Sequence, residues 1–332
     1  MVVGPGRSGT SAVTAALGAL SADLGDRLKP ALRKNARGFF EDLDLLKINY
    51  RLHRVLGLRP NGSSVGPIDH HRWQDSELSQ LRQDAMRMIR HRFGGSDLWG
   101  FKCGGVLRVL PFWESILENL DLDICYVVAI RNPLSVAGSR AKLDIYREAQ
   151  EKSDLEWLAQ IVPYFHRVVA RPFVVIDYDN LVGDPDRELR RIARLLQIDV
   201  LPDIERQIHA YAVDFLTADL RHNRATLDDL ARSQGVNPLT REAYLLLLRL
   251  ANDDIEPQAG DFRAGWQEIE RSFIDMAPLL RHIDYLEDRL RRRGPTLKGL
   301  WLTAVQHLPV AATLTGVGLW PRTKPRQVVS DS

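Results

Sequence analysis

The chain has 332 residues, 45% of them hydrophobic and 27% charged, which allows one large or two modest domains around a substantial core. Its 45 Lys and Arg against 43 Asp and Glu leave a formal net charge of +2, which excludes the global cationic footprint of a nucleic-acid-binding protein. Cys103 and Cys125, the only cysteines, exclude a disulfide framework or a cysteine metal cluster and point to a reducing compartment.

Val2 and Val3 read as a short buried strand. Gly4, Gly6 and Gly9 free the backbone for a tight turn, and Ser8 to Ser11 open a helix over the apolar run Ala12 to Leu20. Such a loop points several N–H groups at one spot, and the helix N-terminus adds partial positive charge there. Arg7 brings a fork of donors to the same place. The stretch reads as a phosphate site.

Three phosphate-loop patterns overlap on it. Gly4-x-Gly6-x-x-Gly9 fits a dinucleotide fingerprint, which needs a second strand and an acidic residue about 20 positions on. Asp23 and Asp26 stand near that distance with no strand-like run before them, so this pattern fails. Gly4-x-x-x-x-Gly9-Thr10-Ser11 nearly fits a Walker A loop, but Thr10 occupies the position of the lysine that grips a nucleoside triphosphate. The third pattern is strand, Arg7-Ser8-Gly9-Thr10-Ser11, helix.

Downstream, Ser21 to Arg37 is polar and basic, with Gly25 and Pro30 as breakers. Phe39-Phe40-Glu41-Asp42 then leads into a helical pattern over 43–56. Gly57 to His71 reads as a mobile loop, and Asp75 to Phe93 as an amphipathic helix. Trp99 to Cys103 reads as a buried strand, followed by a helix over 111–120. Ile124 to Ile130 is the strongest strand, apolar throughout as in sheets buried on both faces. Arg131-Asn132-Pro133 ends it, with Pro133 placed to open the next helix. A long helix is expected over 154–170, a strand over 173–177 and a helix after Asp184. Strands alternating with helices predict a parallel α/β sheet. From 203 the pattern is helical, with one long, coiled-coil-like periodicity over 262–293. Gly299 to Pro321 holds no Asp, Glu, Lys or Arg and is flanked by cations, which favours an interfacial or packed tail over a span.

The Arg7-Ser8-Gly9-Thr10-Ser11 stretch resembles the 5′-phosphosulfate loop of sulfotransferases that use 3′-phosphoadenosine 5′-phosphosulfate (PAPS). PAPS has no γ-phosphate, so the missing lysine is no defect. The second anchor of the resemblance is the strand end Arg131-Asn132-Pro133 with Ser139 about eight residues after the arginine. It is similar to that superfamily's 3′-phosphate motif. The resemblance covers about residues 1–200 and implies a P-loop-like parallel sheet flanked by helices, with a helical C-terminal extension. Gly6, Arg7, Ser8, Gly9, Thr10 and Ser11 would then hold the sulfate-bearing phosphate, and Arg131 and Ser139 the 3′-phosphate. Both anchors lie beyond the carboxyl ends of strands, where open α/β sheets bind ligands.

For chemistry, Phe39-Phe40-Glu41 resembles the catalytic-glutamate setting of carbohydrate sulfotransferases, which makes Glu41 the expected base, with His53, His70 and His71 as rivals. Arg7 and Lys102 are the expected cations at the leaving phosphate. Lys102 is followed by Cys103-Gly104-Gly105 where family members often place Asp-Pro-Arg. The resemblance thus implies sulfuryl transfer from PAPS to a hydroxyl, with an amine also open, of a carbohydrate or glycan, leaving 3′-phosphoadenosine 5′-phosphate (PAP) without a metal.

The alternatives are a nucleotide kinase, for which Asp177 would be the magnesium carboxylate, and a non-catalytic nucleotide- or glycan-binding protein of the same fold. The expected organisation is a cofactor-binding core over 1–200 and a helical extension over 201–296 that completes the acceptor site or serves as an oligomer contact. An apolar and basic tail follows over 297–332. Arg221-His222-Asn223-Arg224 is a cationic patch that reads first as a solvated charge cluster. No basic-then-apolar leader precedes the first strand, so a cytoplasmic location is expected, with peripheral membrane contact open to the tail.

Overall fold

A computed structural model of the chain describes residues 1–292 except 33, 34, 36, 60, 61, 144–146 and 217–224. The tail over 297–332, the uncharged stretch over 299–321 and the patch Arg221 to Arg224 lie outside the described residues. Among the described residues no helix is long and apolar enough to cross a membrane.

Three parallel strands form the sheet in the order β1 (Val2–Val3), β2 (Tyr126–Ile130), β3 (Phe173–Asp177). Val2 pairs with Val127, and Ile130 with Asp177. Side chains alternate across a strand, so the register divides the core into two layers. Val3, Tyr126, Val128, Ile130 and Val175 belong to one cluster, and Val2, Val127, Ala129 and Ile176 to the other. Each layer is covered by helices. This is the expected α/β class: a parallel sheet flanked by helices, continued by a helical C-terminal part.

The helices over the first two-thirds of the chain are α1 (Thr10–Ala19), α2 (Leu43–Val55), α3 (Ser76–Phe93), α4 (Leu110–Asn119), α5 (Pro133–Ala141), α6 (Gln150–Ile161), α7 (Phe165–Val168), α8 (Tyr178–Gly183) and α9 (Pro185–Leu195). After these come α10 (Pro202–Ala210), α11 (Leu227–Arg232), α12 (Pro238–Ala251), α13 (Gly260–Asp275) and α14 (Ala277–Arg292). Helices α1, α9 and α10 cover one layer, with Leu17, Ile192 and Ile208 buried in it. Helices α2, α3, α4, α6, α12 and α13 build the other, around Trp113, Trp157 and Phe165. Tyr244, Phe262 and Trp266 of the C-terminal helices pack into that same layer.

Four sequence expectations need correction. Trp99 to Cys103 is extended but is not a sheet strand. It meets β1 through the amide of Val2, which donates to the Phe101 carbonyl, and Trp99 bridges to Asp23. Its apolar character serves stacking instead, since Trp99 lies face to face with both Phe93 and Phe101. The single helix over 154–170 is interrupted. Pro163 has no amide proton to donate, so α6 ends at Ile161 and a 3-10 turn leads to α7. The periodicity over 262–293 belongs to two helices that break at Met276, and α13 buries Phe262, Trp266, Ile269 and Phe273 rather than forming an arm.

The fourth correction concerns the loop after α2, which is pinned rather than loose. Ser63, Ser64 and Val65 are buried. Arg108 donates to the carbonyls of Ser64 and Gly66, and Lys152 donates to that of Ser63 at 2.7 Å. The carboxylate of Asp284 on α14 accepts the amides of Val65 and Gly66, while Arg59 pairs with Asp284, Glu287 and Asp288. Backbone groups that a Gly- and Pro-rich sequence cannot pair locally are satisfied here by side chains from distant elements.

Asp177, at the carboxyl end of β3, is sealed in as well. One carboxylate oxygen accepts the amides of Asp179 and Asn180 and so caps α8, and the other accepts the Tyr244 hydroxyl at 3.1 Å. Burial, and next the charge of Asp179, push its pKa up to about 7. A carboxylate raised on folding gives stability below its unfolded pKa that is lost as pH climbs through the folded one. Asp177→Asn keeps the cap and removes this loss, so it should stabilise the protein increasingly from about pH 4 to 7, by at most about 1.4 kcal/mol per pH unit. Urea melts of both proteins at pH 5 and pH 8 decide it, and a gain confined to pH 5 would refute the assignment.

Candidate active site

The carboxyl ends of all three strands open onto one place. β1 delivers the loop Gly4 to Gly9, and its path explains the glycines that matter. A Cβ on Gly4 would stand 2.2 Å from the carbonyl oxygen of Ala129 in β2, so only glycine lets the two backbones meet. Gly9 has φ +82, and its Cβ would stand 2.2 Å from the Tyr178 ring. Arg7 also adopts a left-handed backbone, with φ 73. From outside, the Gly6 amide donates to Gln160 of α6 at 2.6 Å and the Gly6 carbonyl accepts from Arg140 of α5 at 3.1 Å. The amide of Gly6 is therefore occupied by protein. Those of the first turn of α1, Thr10 and Ser11 among them, have no intrahelical acceptor. No acidic residue stands in that turn. The hydroxyl of Ser8 is fully buried and has no partner among the described residues.

Cations converge on this loop. Arg7 donates through Nε to the Ser139 hydroxyl of α5 at 2.9 Å, across 132 residues of sequence. Arg131, at the end of β2, is 7% exposed and lies with its guanidinium 4.4 Å from the centre of the Tyr178 ring. Burial, followed by the charges of Arg131 and Arg147, lowers the pKa of Arg7 to about 10. A buried arginine whose charge is disfavoured by neighbouring cations marks a place where an anion is favoured. Asn132 caps α5 and donates to the carbonyls of Ala225 and Thr226, and the Ser135 hydroxyl accepts the Ala225 amide. The strand end is thus tied to the chain as it returns from residues 217–224.

Ser139 joins Arg7, whereas the sequence pairs it with Arg131. A phosphate on Ser139 would therefore be sensed by both arginines. Arg7→Ala and Ser139→Ala should each weaken PAP binding about 10-fold or more, and the double variant should lose less than the sum, because the two groups act as a unit. Calorimetric titration of the four proteins completes the cycle. Strict additivity would show that the two contact the ligand independently.

A second group of residues lies beside the first turn of α1. Glu41, 5% exposed, forms ion pairs with Lys102 at 3.1 Å through Oε1 and with Lys29 at 3.2 Å through Oε2. Lys102 also donates to the Ser11 hydroxyl at 3.2 Å, and Asn35 donates to the same oxygen at 3.1 Å. With both lone pairs of Ser11 Oγ engaged, its remaining capacity is as a donor. Burial pulls the pKa of Lys102 down, and Glu41 acts against that. Glu41 sits here because an antiparallel ribbon folds back over the loop. Leu28 bridges to Asp42, and the Lys29 amide donates to the Glu41 carbonyl at 2.8 Å. Directly opposed residues in such a ribbon bring their side chains together. Asp42 then caps α2 through the amides of Asp44 and Leu45 and pairs with Arg92.

The rival histidines are placed differently. His53 is 1% exposed, hydrogen-bonding distance from Asn49, and burial followed by the charge of Arg108 lowers its pKa to about 4. It is neutral and enclosed. His70 and His71 are exposed in a 3-10 turn. Sequence reading missed Lys29, Asn35 and Gln160. Gln160 bridges the Gly6 amide and the Gly62 carbonyl from the last turn of α6, with no local signature. Lys29 had one available signal, its place opposite Glu41 in a ribbon, which becomes visible only once the pairing is known.

No family model and no curated protein sequence matches this chain. Among solved structures it is similar to the sulfotransferase domain from the Synechococcus PCC 7002 olefin synthase, at 15% identity and a TM-score of 0.35, over 82% of this chain and 93% of that one. A likeness of that size adds nothing to what the site's own residues carry.

Proposed function

We propose that the protein is a sulfotransferase that moves the sulfuryl group of PAPS to a hydroxyl of an acceptor, with a carbohydrate as the acceptor class favoured by the setting of Glu41. The observation that carries this reading is the contiguous line from the first turn of α1 through Ser11, Lys102 and Glu41. It puts a carboxylate one lysine away from an anion site that lacks the Walker lysine. The residues fit such a donor: arginines, a helix N-terminus, a buried Ser8 hydroxyl without a partner among the described residues and the remaining donor of Ser11.

In this reading Arg7 and the first turn of α1 hold the sulfate-bearing phosphate, and Arg131 serves the 3′-phosphate. Glu41 takes the proton of the acceptor hydroxyl, and Lys102 and Arg7 steady the charge that grows on the leaving side. The transfer joins the acceptor oxygen to sulfur and breaks the bond from sulfur to the phosphate oxygen, which keeps the electron pair and leaves as PAP. The kinase alternative needs Asp177 free for magnesium. Its two oxygens are engaged by the cap of α8 and by Tyr244.

The test is calorimetry without and with magnesium. PAP or PAPS should bind at least about 10-fold more tightly than ATP, and in EDTA, since no divalent ion is required to bridge phosphates. Magnesium-dependent ATP binding with weak PAP binding would move the chain to the kinases. Tight PAP binding without turnover of PAPS on a panel of desulfated acceptors would leave a non-catalytic binding protein.

A further inference from the structure

The line from Ser11 through Lys102 to Glu41 does not end at the carboxylate. Lys29 stands on its far side, 3.2 Å from Oε2, with its own side chain 20% exposed and its ammonium 4.3 Å from the centre of the Phe39 ring. Two ammonium charges thus face one carboxylate in a place where Glu41 and Lys102 are almost wholly buried. One positive charge is left over, and Lys29 adds to the forces that pull the Lys102 pKa down. An excess cation is costly where solvent is scarce, unless an anionic group is meant to arrive beside it. Lys29 is the member of the trio that can move. It is partly exposed, it lies on the ribbon rather than on a helix or the sheet, and its flexible stem can leave Glu41 with the backbone in place.

From this geometry we infer that Lys29 is a further substrate-contacting residue, which pairs with Glu41 in the ligand-free protein and turns to the sulfuryl oxygens when the sulfated donor is present. The inference rests on the sulfotransferase reading and deepens it. The exchange does two jobs at once. It supplies a cation to a sulfuryl group beside the Ser11–Lys102–Glu41 line, and it releases one oxygen of Glu41 to accept the acceptor's proton. In the ligand-free protein the Phe39 ring holds the ammonium by a cation–π contact, one weak enough to be exchanged for a sulfuryl oxygen. Lys102, pinned by Ser11 as well as Glu41, stays where it is.

The discriminating pair of ligands is PAPS and PAP, which differ only by the sulfuryl group. Lys29→Met keeps an unbranched apolar chain of similar length and deletes the charge. By calorimetry it should weaken PAPS binding about 10–100-fold while leaving PAP affinity within about twofold of wild type. Lys29→Arg should recover most of the PAPS affinity, which a merely structural lysine would not require. Thermal melts of the ligand-free proteins check that each variant is folded. Equal weakening of PAP and PAPS, or no change in either, overturns the assignment while leaving the sulfotransferase reading intact. Failure of the wild-type protein to bind either ligand removes both.

Discussion

Glu41→Gln is expected to lower sulfuryl transfer by about 10²–10⁴-fold, the usual worth of a positioned base, with PAP affinity nearly unchanged. The structure makes the experiment more demanding than the sequence suggests, because Glu41 is also the counter-ion of Lys102 and Lys29. Glutamine retains an acceptor oxygen but not the charge. Lys102 would lose the influence that opposes its desolvation, so its pKa should fall further. Loss of charge-assisted bonds should cost about 1.5–3 kcal/mol of stability. Urea melts therefore accompany the kinetics, so that a rate loss can be separated from a folding loss. Asp42→Asn is a poor control, since Asp42 caps α2 and pairs with Arg92. Asp44→Asn serves better: that residue also pairs with Arg92, and with Arg27, but it is half-buried, leaves the α2 cap intact and does not touch Lys102. Retention of most activity in Glu41→Gln would end the general-base assignment. If His53→Ala then abolished activity, the enclosed, neutral imidazole would have to be the base.

How much of this was legible follows from the range over which each signal acts. The strand over 124–130 announces itself by an unbroken apolar run and that over 173–177 by the apolar run before Asp177, and the glycines at 4 and 9 by their spacing. These are local properties of the chain. The break at Pro163 is local too, and the apolar periodicity on both sides masked it. Trp99 to Cys103 misled for a different reason: Trp99 and Phe101 are aromatic because they stack in the core, and apolar content alone does not separate a stacked extended segment from a strand. The site's partnerships are long-range. Arg7 with Ser139, Gln160 with Gly6 and Lys29 with Glu41 depend on which loop lies over which strand end. Residue identity marked Arg7, Glu41 and Lys102 as candidates, and only the fold says that Glu41 and Lys102 touch.

Gly9→Ala should remove ligand binding and much of the stability together. Gly9 is the residue on which α1 begins, and its φ of +82 is one that L side chains rarely adopt. Such a conformation costs roughly 1–2 kcal/mol for alanine before any contact is counted. The added Cβ would then meet Tyr178 at 2.2 Å from Cδ2 and 3.0 Å from Cε2 and Cγ. Tyr178 has little room to yield, because it is 6% exposed and carries the Arg131 guanidinium on its ring. Relief must come from lifting the loop or turning the ring, at about 1–3 kcal/mol for overpacking. The sum, about 2–5 kcal/mol, is a large share of a typical domain's stability. Either relief also disturbs the anion site: a lifted loop misaligns the first-turn amides, and a turned ring displaces Arg131. PAP binding should therefore weaken by about 100-fold or more, well beyond the loss from Ser139→Ala. Gly183→Ala is the matched comparison, since nothing lies within 4 Å of the Cβ it would add and its backbone carries no positive φ. If Gly9→Ala melts and binds PAP like wild type, the loop does not pack against Tyr178 as described, and the placement of Arg131 beside it fails as well.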